Sequence, residues 1–293
     1  MRELNNSKPD AVVICHSKAP NGEELVTMEI NLHRFILPEF NTHRVFSRNF
    51  SSSRAVPVNK IIEQVRNNPA MPVHWGKNQR GMVAEEELQG EKLEDSISCW
   101  EGAANWAACQ AENMLYYGVH KQIVNRLLEP FMWTKGVVTS TKEGFESFFK
   151  LRSHKDAQPE IKALSDAMMK SLEESVPQEL EYGDYHLPYI DSYTSLEKAI
   201  KTSTSCTAQV SYRILDGSLE KALKIYDMLN LPENGVYPED PPHFSPTEHV
   251  AKVTNEHLLA EGSGNFNSDT FWQYRKALEQ GNEKHFIEGE RNE

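Results

Sequence analysis

Residues 41–54 concentrate polar side chains of the types that bind a phosphorylated ligand. The segment holds one His, three Arg and four Ser, and it directly follows an apolar, strand-like run. Hydroxyls, backbone N–H groups and guanidinium groups can together donate charge-assisted and often bidentate hydrogen bonds to phosphate oxygens. A solvated, serine-rich turn with scattered charges is the alternative interpretation, and the segment alone favours neither.

The spacing inside this segment resembles the signature of the flavin-dependent thymidylate synthases, which reads Arg-His-Arg, seven residues, then Ser. His43, Arg44 and Ser52 stand at the matching offsets, and Arg54 follows two residues later. Thr42 occupies the place of the first Arg. Two downstream arginines extend the resemblance, because the family has a helix ending in Arg-x-x-x-Pro and a later segment that reads Asn-Phe-Leu-x-Leu-Arg.

Arg126 and Arg152 match the two family arginines that bind the nucleotide. Arg152 is the predicted catalytic residue, because a guanidinium stays protonated and can stabilise negative charge that develops on the uracil edge. An ion pair with Asp156 or Glu160, farther along the chain, is the alternative role for Arg152. Arg126 is predicted to contact the 5′-phosphate, with an ordinary surface arginine as its alternative.

The resemblance assigns binding roles to two sets of residues. The nucleotide contacts that it implies are Glu39, Ser51, Ser52, Ser53, Arg54, Arg126 and Arg152. The flavin contacts that it implies are Thr42, His43, Arg44, Phe50, Thr141, Ser147 and His249. Six features of the family's pattern are replaced here. Thr42 stands in place of an Arg, Phe50 in place of a Glu and Glu39 in place of a Gln. Residues Thr141–Glu143 stand in place of Asn-x-Arg, Ser147 in place of an Asn and Asp156 in place of a His. These departures leave open the flavin pose, the exact pyrimidine and the carbon product.

Two later segments imply a rearranged chain. Residues 206–212 resemble the family's opening strand, and residues 244–250 resemble its Ser-Pro-Phe-Glu-His segment. Ser245 and Glu248 could equally form a helix capping box there. Ordinary members place both segments before the signature. The chain is therefore identified as a divergent, circularly permuted relative of the kind found in phages and bacteria, or as one with its halves exchanged.

The resemblance implies a reaction that needs no nucleophile from the protein. FAD would supply reducing equivalents, with methylenetetrahydrofolate as carbon donor and NADPH as reductant, and dUMP would become dTMP. The other known route needs an activated Cys. Cys15, Cys99, Cys109 and Cys206 lie on apolar segments and are predicted to be small buried side chains instead.

Two alternative functions stay open at this point. The first is a flavin- and folate-dependent hydroxymethylase that acts on dUMP or dCMP, in which Glu39 would contact an exocyclic amine. The second is a non-catalytic nucleotide- or flavin-binding protein, because several family flavin contacts are replaced. Product analysis separates the first alternative from the methyltransferase, and flavin colour in the purified protein argues against the second.

Composition and charge limit the possible partners. The 293-residue chain is 39% hydrophobic and 25% charged, as in ordinary globular proteins, and its formal net charge is −12. A polynucleotide would favour a basic face, so a mononucleotide held by a local arginine cluster is expected instead. The sequence shows no apolar run of membrane-spanning length, no signal-peptide core and no metal-type Cys spacing. A reduced, cytoplasmic protein is predicted, in a host cytoplasm if the chain is phage-encoded.

The elements that must position these residues indicate an α+β protein, with helices packed on an antiparallel sheet. Strands are predicted at 11–15 and 24–32, joined by an Asn21-Gly22 turn, and at 206–214. Helices are predicted at 59–68, 97–117, 119–128, 141–151, 157–174, 218–229 and 269–279.

The remaining segments are predicted to connect these elements. Residues 70–82 form a loop that either covers the site or merely links helices, residues 175–194 form a linker, and residues 280–293 a frayed tail. Residues 1–180 would carry the signature and nucleotide-binding half, and residues 181–293 the permuted half, intertwined as one domain. The resemblance further implies a homotetramer whose sites are shared between subunits.

Overall fold

The computed structural model of the chain describes residues 3–211, 218–233, 235–255, 266 and 268–288. The strands are β1 (Asp10–Lys18), β2 (Glu24–His33), β3 (Ser47–Phe50), β4 (Trp133–Thr141), β5 (Gln178–Glu179), β6 (Tyr185–His186), β7 (Ala251–Val253) and β8 (Phe271–Gln273). The α-helices are α1 (Leu37–Phe40), α2 (Val58–Asn67), α3 (Glu91–Tyr116), α4 (Lys121–Leu128), α5 (Lys142–Arg152), α6 (Pro159–Glu173), α7 (Leu196–Ala208), α8 (Leu219–Asp227), α9 (Tyr274–Glu279) and α10 (Glu283–Glu288).

The predicted α+β class is confirmed, because helices pack on a mostly antiparallel sheet. The larger sheet has the order β3-β4-β2-β1-β5, and the smaller sheet has the order β6-β7-β8. Pairing is antiparallel throughout these sheets except between β1 and β5. The signature segment therefore forms an edge strand, β3, which pairs with β4.

The hairpin predicted at the start of the chain is confirmed. Gly22 lies in its turn with φ of +90°, a backbone conformation that glycine adopts without strain. Val26, Met28 and Ile30 on β2 are fully buried and face the main core. This alternation is the period-two pattern that led to the strand prediction.

The main core fixes the position of α5, the helix that ends at Arg152. Phe145 and Phe148 on α5 pack with Phe40 and Phe46, with ring centroids between 5.1 and 5.6 Å apart. The Thr141 hydroxyl accepts a hydrogen bond from the Gly144 N–H, so it caps the helix N-terminus. The helix predicted at 141–151 is confirmed, and its last turn lies beside the signature.

A second layer of helices carries Arg126. An alanine stripe on α3, which includes Ala104, Ala108 and Ala111, packs against α2 and α4.

The helices predicted at 59–68, 97–117, 119–128, 157–174 and 218–229 are confirmed within a few residues, although α3 begins earlier, at Glu91.

Several element predictions are wrong. Residues 206–211 were expected in a strand but form the end of α7 and a 3-10 helix, while residues 212–214 lie outside the described part. Residues 175–194 contain β5 and β6, and their two-residue strands join different sheets. Residues 271–273 form β8 because they pair with β7, so only residues 274–279 of the predicted tail helix are helical. Residues 283–288 form α10 and bury Phe286, whereas a frayed tail was expected.

The later elements pack against the first sheet. The 3-10 helix at Ser245–His249 contacts β3, and apolar residues of β7 and β8 pack with Ala19 and Leu25 of the hairpin. The division near residue 180 and the permuted order stay predictions. None of the helices in the described ranges has the length and apolar character needed to cross a membrane.

Candidate active site

Arg152 is held by two side chains from the segment around the signature. Its Nε donates a hydrogen bond to Nε2 of His43 over 2.7 Å, and its Nη1 lies 2.5 Å from Oε1 of Glu39. Asp156 lies instead near His154, with 3.5 Å between Oδ2 and Nδ1. The predicted ion pair of Arg152 with Asp156 or Glu160 is therefore wrong. Instead, His43, a predicted flavin contact, and Glu39, a predicted nucleotide contact, orient Arg152.

His43 is the neutral partner in this cluster. Burial is the main cause that lowers the pKa of His43 to about 4, and the positive charges of Arg152 and Arg48 lower it further. Because Arg152 can only donate, Nε2 of His43 must accept, which leaves the ring proton on Nδ1. The ring also packs edge-on against Phe148, with centroids 4.9 Å apart. The imidazole is therefore fixed in one orientation.

A cavity of about 1100 Å³ opens beside Arg152. Glu39 and Arg152 lie on one wall, the N-terminal part of α6 forms another, and residues between 74 and 85 form a third. The loop predicted at 70–82 is thus part of an arm along this cavity. Gly76 and Glu87 form an antiparallel bridge at its base. Lys77 on this arm pairs with Glu86, 2.5 Å away.

The serine segment of the signature meets Arg126 through a shared carboxylate. The Ser53 hydroxyl donates to Oε1 of Glu129 over 2.7 Å, and Nη1 of Arg126 lies 3.0 Å from the same oxygen. Asn125 donates from Nδ2 to the Ser53 carbonyl oxygen over 2.5 Å. Arg54 is exposed and Ser52 half-buried. The structure brings Arg126 and Ser53 together, through Glu129, in one chain.

The two clusters lie beyond opposite ends of β3. His43 precedes this strand, and Ser51 to Ser53 follow it. A four-residue strand spans about 13 Å at roughly 3.3 Å per residue. The predicted nucleotide contacts of a single chain therefore form two groups, one around Arg152 and one around Ser53.

The predicted flavin contacts differ widely in exposure. Thr42, Arg44 and Ser147 are exposed, and Ser147 lies on α5, the helix that ends at Arg152. Phe50 packs edge-on against Phe40, with centroids 5.6 Å apart. Thr141 caps α5. The three exposed side chains fit a ligand that approaches from solvent, whereas Phe50 and Thr141 serve the fold.

His249 lies in the interior, at the end of a chain of buried hydrogen bonds across the sheet. Its Nδ1 is 2.7 Å from the Thr139 hydroxyl, which is 2.7 Å from the Thr27 hydroxyl. Nε2 of His186 is 2.8 Å from Thr27, and its Nδ1 is 2.8 Å from the Ser17 hydroxyl. A flavin contact at His249 would require a ligand that reaches this interior position. His186 was missed because it lies in a polar stretch without periodicity.

The four cysteines lie in different surroundings, and Cys109 has the Arg66 guanidinium as a neighbour, with 3.6 Å between Sγ and Nη2. Burial raises the pKa of the Cys15 thiol to about 11. Cys206 is buried as predicted, but Cys99 is exposed, so the prediction of a buried side chain is wrong there. Cys99 lies on α3, whose buried residues form only a narrow alanine stripe, and this explains the exposure.

The chain is similar to known proteins in sequence and in structure. The family described as thymidylate synthase complementing protein matches residues 23–178, a little over half of the chain. No curated protein matches the sequence. The UMP/dUMP methylase PolB from Streptomyces cacaoi, bound with 5-Br dUMP, aligns with 16% identity and a TM-score of 0.44, over 51% of this chain and 66% of that one. Its structure with 5-Br UMP aligns with 17% identity and a TM-score of 0.43, over 51% and 68%.

The family match spans the parts of the chain that build both clusters. It includes Glu39, His43 and Ser53 from the signature region, and it includes Arg126 and Arg152 from the two helices. The chain belongs to the thymidylate synthase complementing protein family.

Proposed function

We propose that the protein methylates dUMP to dTMP, with methylenetetrahydrofolate as carbon donor, FAD as cofactor and NADPH as reductant. Family membership supports thymidylate synthesis. The observation that carries the proposal is the anchoring of Arg152 by His43 and Glu39 at the edge of a large cavity. A side chain held on two sides is preorganised for one orientation.

Arg152 supplies fixed positive charge next to the pyrimidine ring. Its Nε and Nη1 are engaged, and its Nη2 makes no hydrogen bond within the described part of the chain. The side chain is 23% exposed, so Nη2 is accessible to a ligand. Negative charge that develops on a uracil oxygen is stabilised by such a donor without proton transfer, because arginine stays protonated.

The serine segment and two exposed arginines form the phosphate end of the site. Arg54 and Arg126 are exposed, Ser51–Ser53 directly precede Arg54 in sequence, and Ser53 shares the Glu129 carboxylate with Arg126. Phosphate oxygens are good acceptors for this mixture of donors. Because this group and the Arg152 group lie beyond opposite ends of β3, we propose that one nucleotide is shared between subunits of a homotetramer.

The exposed side chains of Thr42, Arg44 and Ser147 would hold the flavin on the surface beside Arg152. When bound, FAD supplies the reducing equivalents that convert a one-carbon unit to a methyl group. His43 contributes indirectly, because it orients Arg152 rather than presenting a charge of its own.

Glu39 supports dCMP hydroxymethylation as a second candidate function. Its carboxylate accepts from Arg152 and is half-exposed at the cavity, where it can also accept from the exocyclic amine of cytosine. The proposed uracil and cytosine reactions share the fold and the donor of the carbon unit. They differ in the base bound and in the group left on C5.

Product analysis tests both candidates directly. The purified protein is incubated with FAD, NADPH, methylenetetrahydrofolate and either dUMP or dCMP, and the nucleotide is identified by mass spectrometry. We expect dTMP from dUMP. A hydroxymethylated dCMP would establish the second candidate in its place. Saturable FAD binding in the presence of dUMP is expected as well. If no product forms and FAD does not bind, the flavoenzyme proposal loses its support.

A further inference from the structure

A second, smaller cavity lies between the serine segment, α2 and β4. Its volume is about 310 Å³. Among the described residues that line it, every charged side chain is basic, and these side chains are Arg34, Lys60 and Lys135. The whole chain carries a net charge of −12, so a cavity with only positive lining charges departs from the rest of the molecule.

The positive charge of the cavity is only partly compensated. Glu129 is the nearby carboxylate, and its Oε1 lies 3.4 Å from Nη2 of Arg34. The same oxygen also binds Arg126 and the Ser53 hydroxyl. Its single negative charge is therefore divided between two guanidinium groups, and neither Lys60 nor Lys135 forms an ion pair within the described part of the chain.

The cavity also has an aromatic residue in its wall. The side chain of Trp133 lines it, and the buried indole Nε1 has no hydrogen-bond partner within the described residues. An indole N–H can only donate. The ring is held in place by His33, with ring centroids 4.3 Å apart. A cavity whose charged lining residues are all cationic matches an anionic ligand rather than a neutral or cationic one.

Arg34 is positioned before any ligand binds. Its side chain is 16% exposed, and its Nη1 donates to the Ser51 carbonyl oxygen over 3.3 Å. Lys60 projects from α2 and Lys135 from β4, so cations from three different elements meet in one cavity. Their mutual repulsion is relieved when an anion enters, because opposite charges attract strongly where water is partly excluded.

We propose that this cavity binds the phosphate group of a ligand through Arg34, Lys60 and Lys135. The inference rests on the cavity and its charges, and it does not depend on the proposed reaction. Two sources supply the same chemistry: the 5′-phosphate of a mononucleotide and the 2′-phosphate of NADPH. Ser51 and Ser53 also line the cavity, so it adjoins the serine segment from the opposite side to Arg126.

Inorganic phosphate is the first probe. We expect saturable binding to the wild-type protein, followed by tryptophan fluorescence and by a rise in the thermal unfolding midpoint. The double variant Lys60→Ala/Lys135→Ala should bind phosphate at least tenfold more weakly. Lys170→Ala is the matched control, because it removes an exposed lysine from α6, far from the cavity, and it should bind as the wild type does.

Further variants and probes make the outcome decisive. Trp133→Phe should lose the fluorescence response while the unfolding midpoint still rises. Lys60→Gln, which keeps a polar side chain on α2, serves if the double variant fails to fold by circular dichroism. Two pairs of ligands that differ by one phosphate group identify the source: dUMP with deoxyuridine, and NADPH with NADH. The pair whose difference in affinity shrinks in the lysine variants contains the phosphate that the cavity binds. If phosphate, dUMP and NADPH all bind the lysine variants as tightly as they bind Lys170→Ala, the proposal is overturned.

Discussion

Nε2 of His43 accepts a hydrogen bond from Nε of Arg152 over 2.7 Å, between residues 109 positions apart in the chain. The contact joins the signature segment to the end of α5. The donor is Nε, the nitrogen that links the guanidinium group to the rest of the side chain, while Nη1 contacts Glu39. The plane of the guanidinium is therefore set from two directions, and Nη2 makes no hydrogen bond within the described residues.

Replacement of Arg152 should abolish most turnover. Arg152→Ala removes the preorganised donor, and the loss of one such donor costs on the order of 3 kcal/mol, or ~10²-fold in rate. Arg152→Lys should fail as well, because an ammonium group cannot bind His43 and Glu39 and still present a third donor. The measurement is the steady-state rate at saturating nucleotide, with circular dichroism to confirm folding. Wild-type turnover by Arg152→Ala would remove Arg152 from the catalytic role.

Arg126→Ala should act on affinity rather than on the maximal rate. A phosphate contact is made equally in the ground state and the transition state, so its loss raises KM and leaves kcat nearly unchanged. The exposed side chain of Arg126 contributes little to folding, and Glu129 keeps Arg34 and Ser53 as partners in the variant. A large fall in kcat with unchanged KM would exchange the roles of Arg126 and Arg152.

His43 should stay neutral across the physiological pH range. Burial together with Arg152 and Arg48 lowers its pKa to about 4. A group whose ordinary pKa is 6.5 but whose folded pKa is lower remains unprotonated until the pH falls well below 6.5. An NMR titration of the ring should show this. In Arg152→Gln the pKa should rise, because the nearest cation is lost while the burial changes little. An ordinary pKa in the wild type would contradict the cluster geometry.

The residues of the motifs were predictable because residue type and spacing along the chain are enough to recognise them. His43, Arg152 and Ser53 were all selected from sequence, and the helix that ends at Arg152 was predicted within one residue. Their mutual geometry was not predictable. The partners of Arg152 are Glu39 and His43, which lie more than 100 positions away, and only the packing of α5 on the core brings them together.

The strand β4 shows why part of the fold escaped prediction. Its residues from Gly136 to Thr141 are all buried: β4 lies between β2 and β3 in the sheet, and its two faces pack on different apolar clusters, with Val138 in the main core and Val137 beside Val12 and Ile14. A strand buried on both faces lacks the apolar and polar alternation that reveals a surface strand. The available signal was the four β-branched residues among positions 137–141, namely Val137, Val138, Thr139 and Thr141. The same reasoning applies to His186, whose burial depends on strand pairing that is absent from local sequence.

The buried hydrogen-bond chain from His186 to His249 should make the protein sensitive to acid. Burial is the main cause that lowers the pKa of both imidazoles to about 3. In the unfolded chain each would bind a proton below about pH 6.5. Their contribution to stability is therefore complete above pH 6.5, and it is lost as the pH falls from about 6.5 towards 3. Each pKa unit corresponds to about 1.4 kcal/mol.

Urea unfolding at pH 7.5 and pH 5.5 measures this acid sensitivity. The free energy of unfolding of the wild type should fall at pH 5.5, and Thr27→Val should be destabilised at both pH values. This variant leaves the hydrogen-bonding groups of His186 and Thr139 without their shared partner, at a cost of about 1–3 kcal/mol. His186→Gln should flatten the pH dependence, because it removes one group that binds a proton only in the unfolded chain. His16 and His33 also have lowered pKa values, so some dependence persists in that variant. Equal pH dependence in the wild type and His186→Gln would show that the buried chain does not couple stability to protonation.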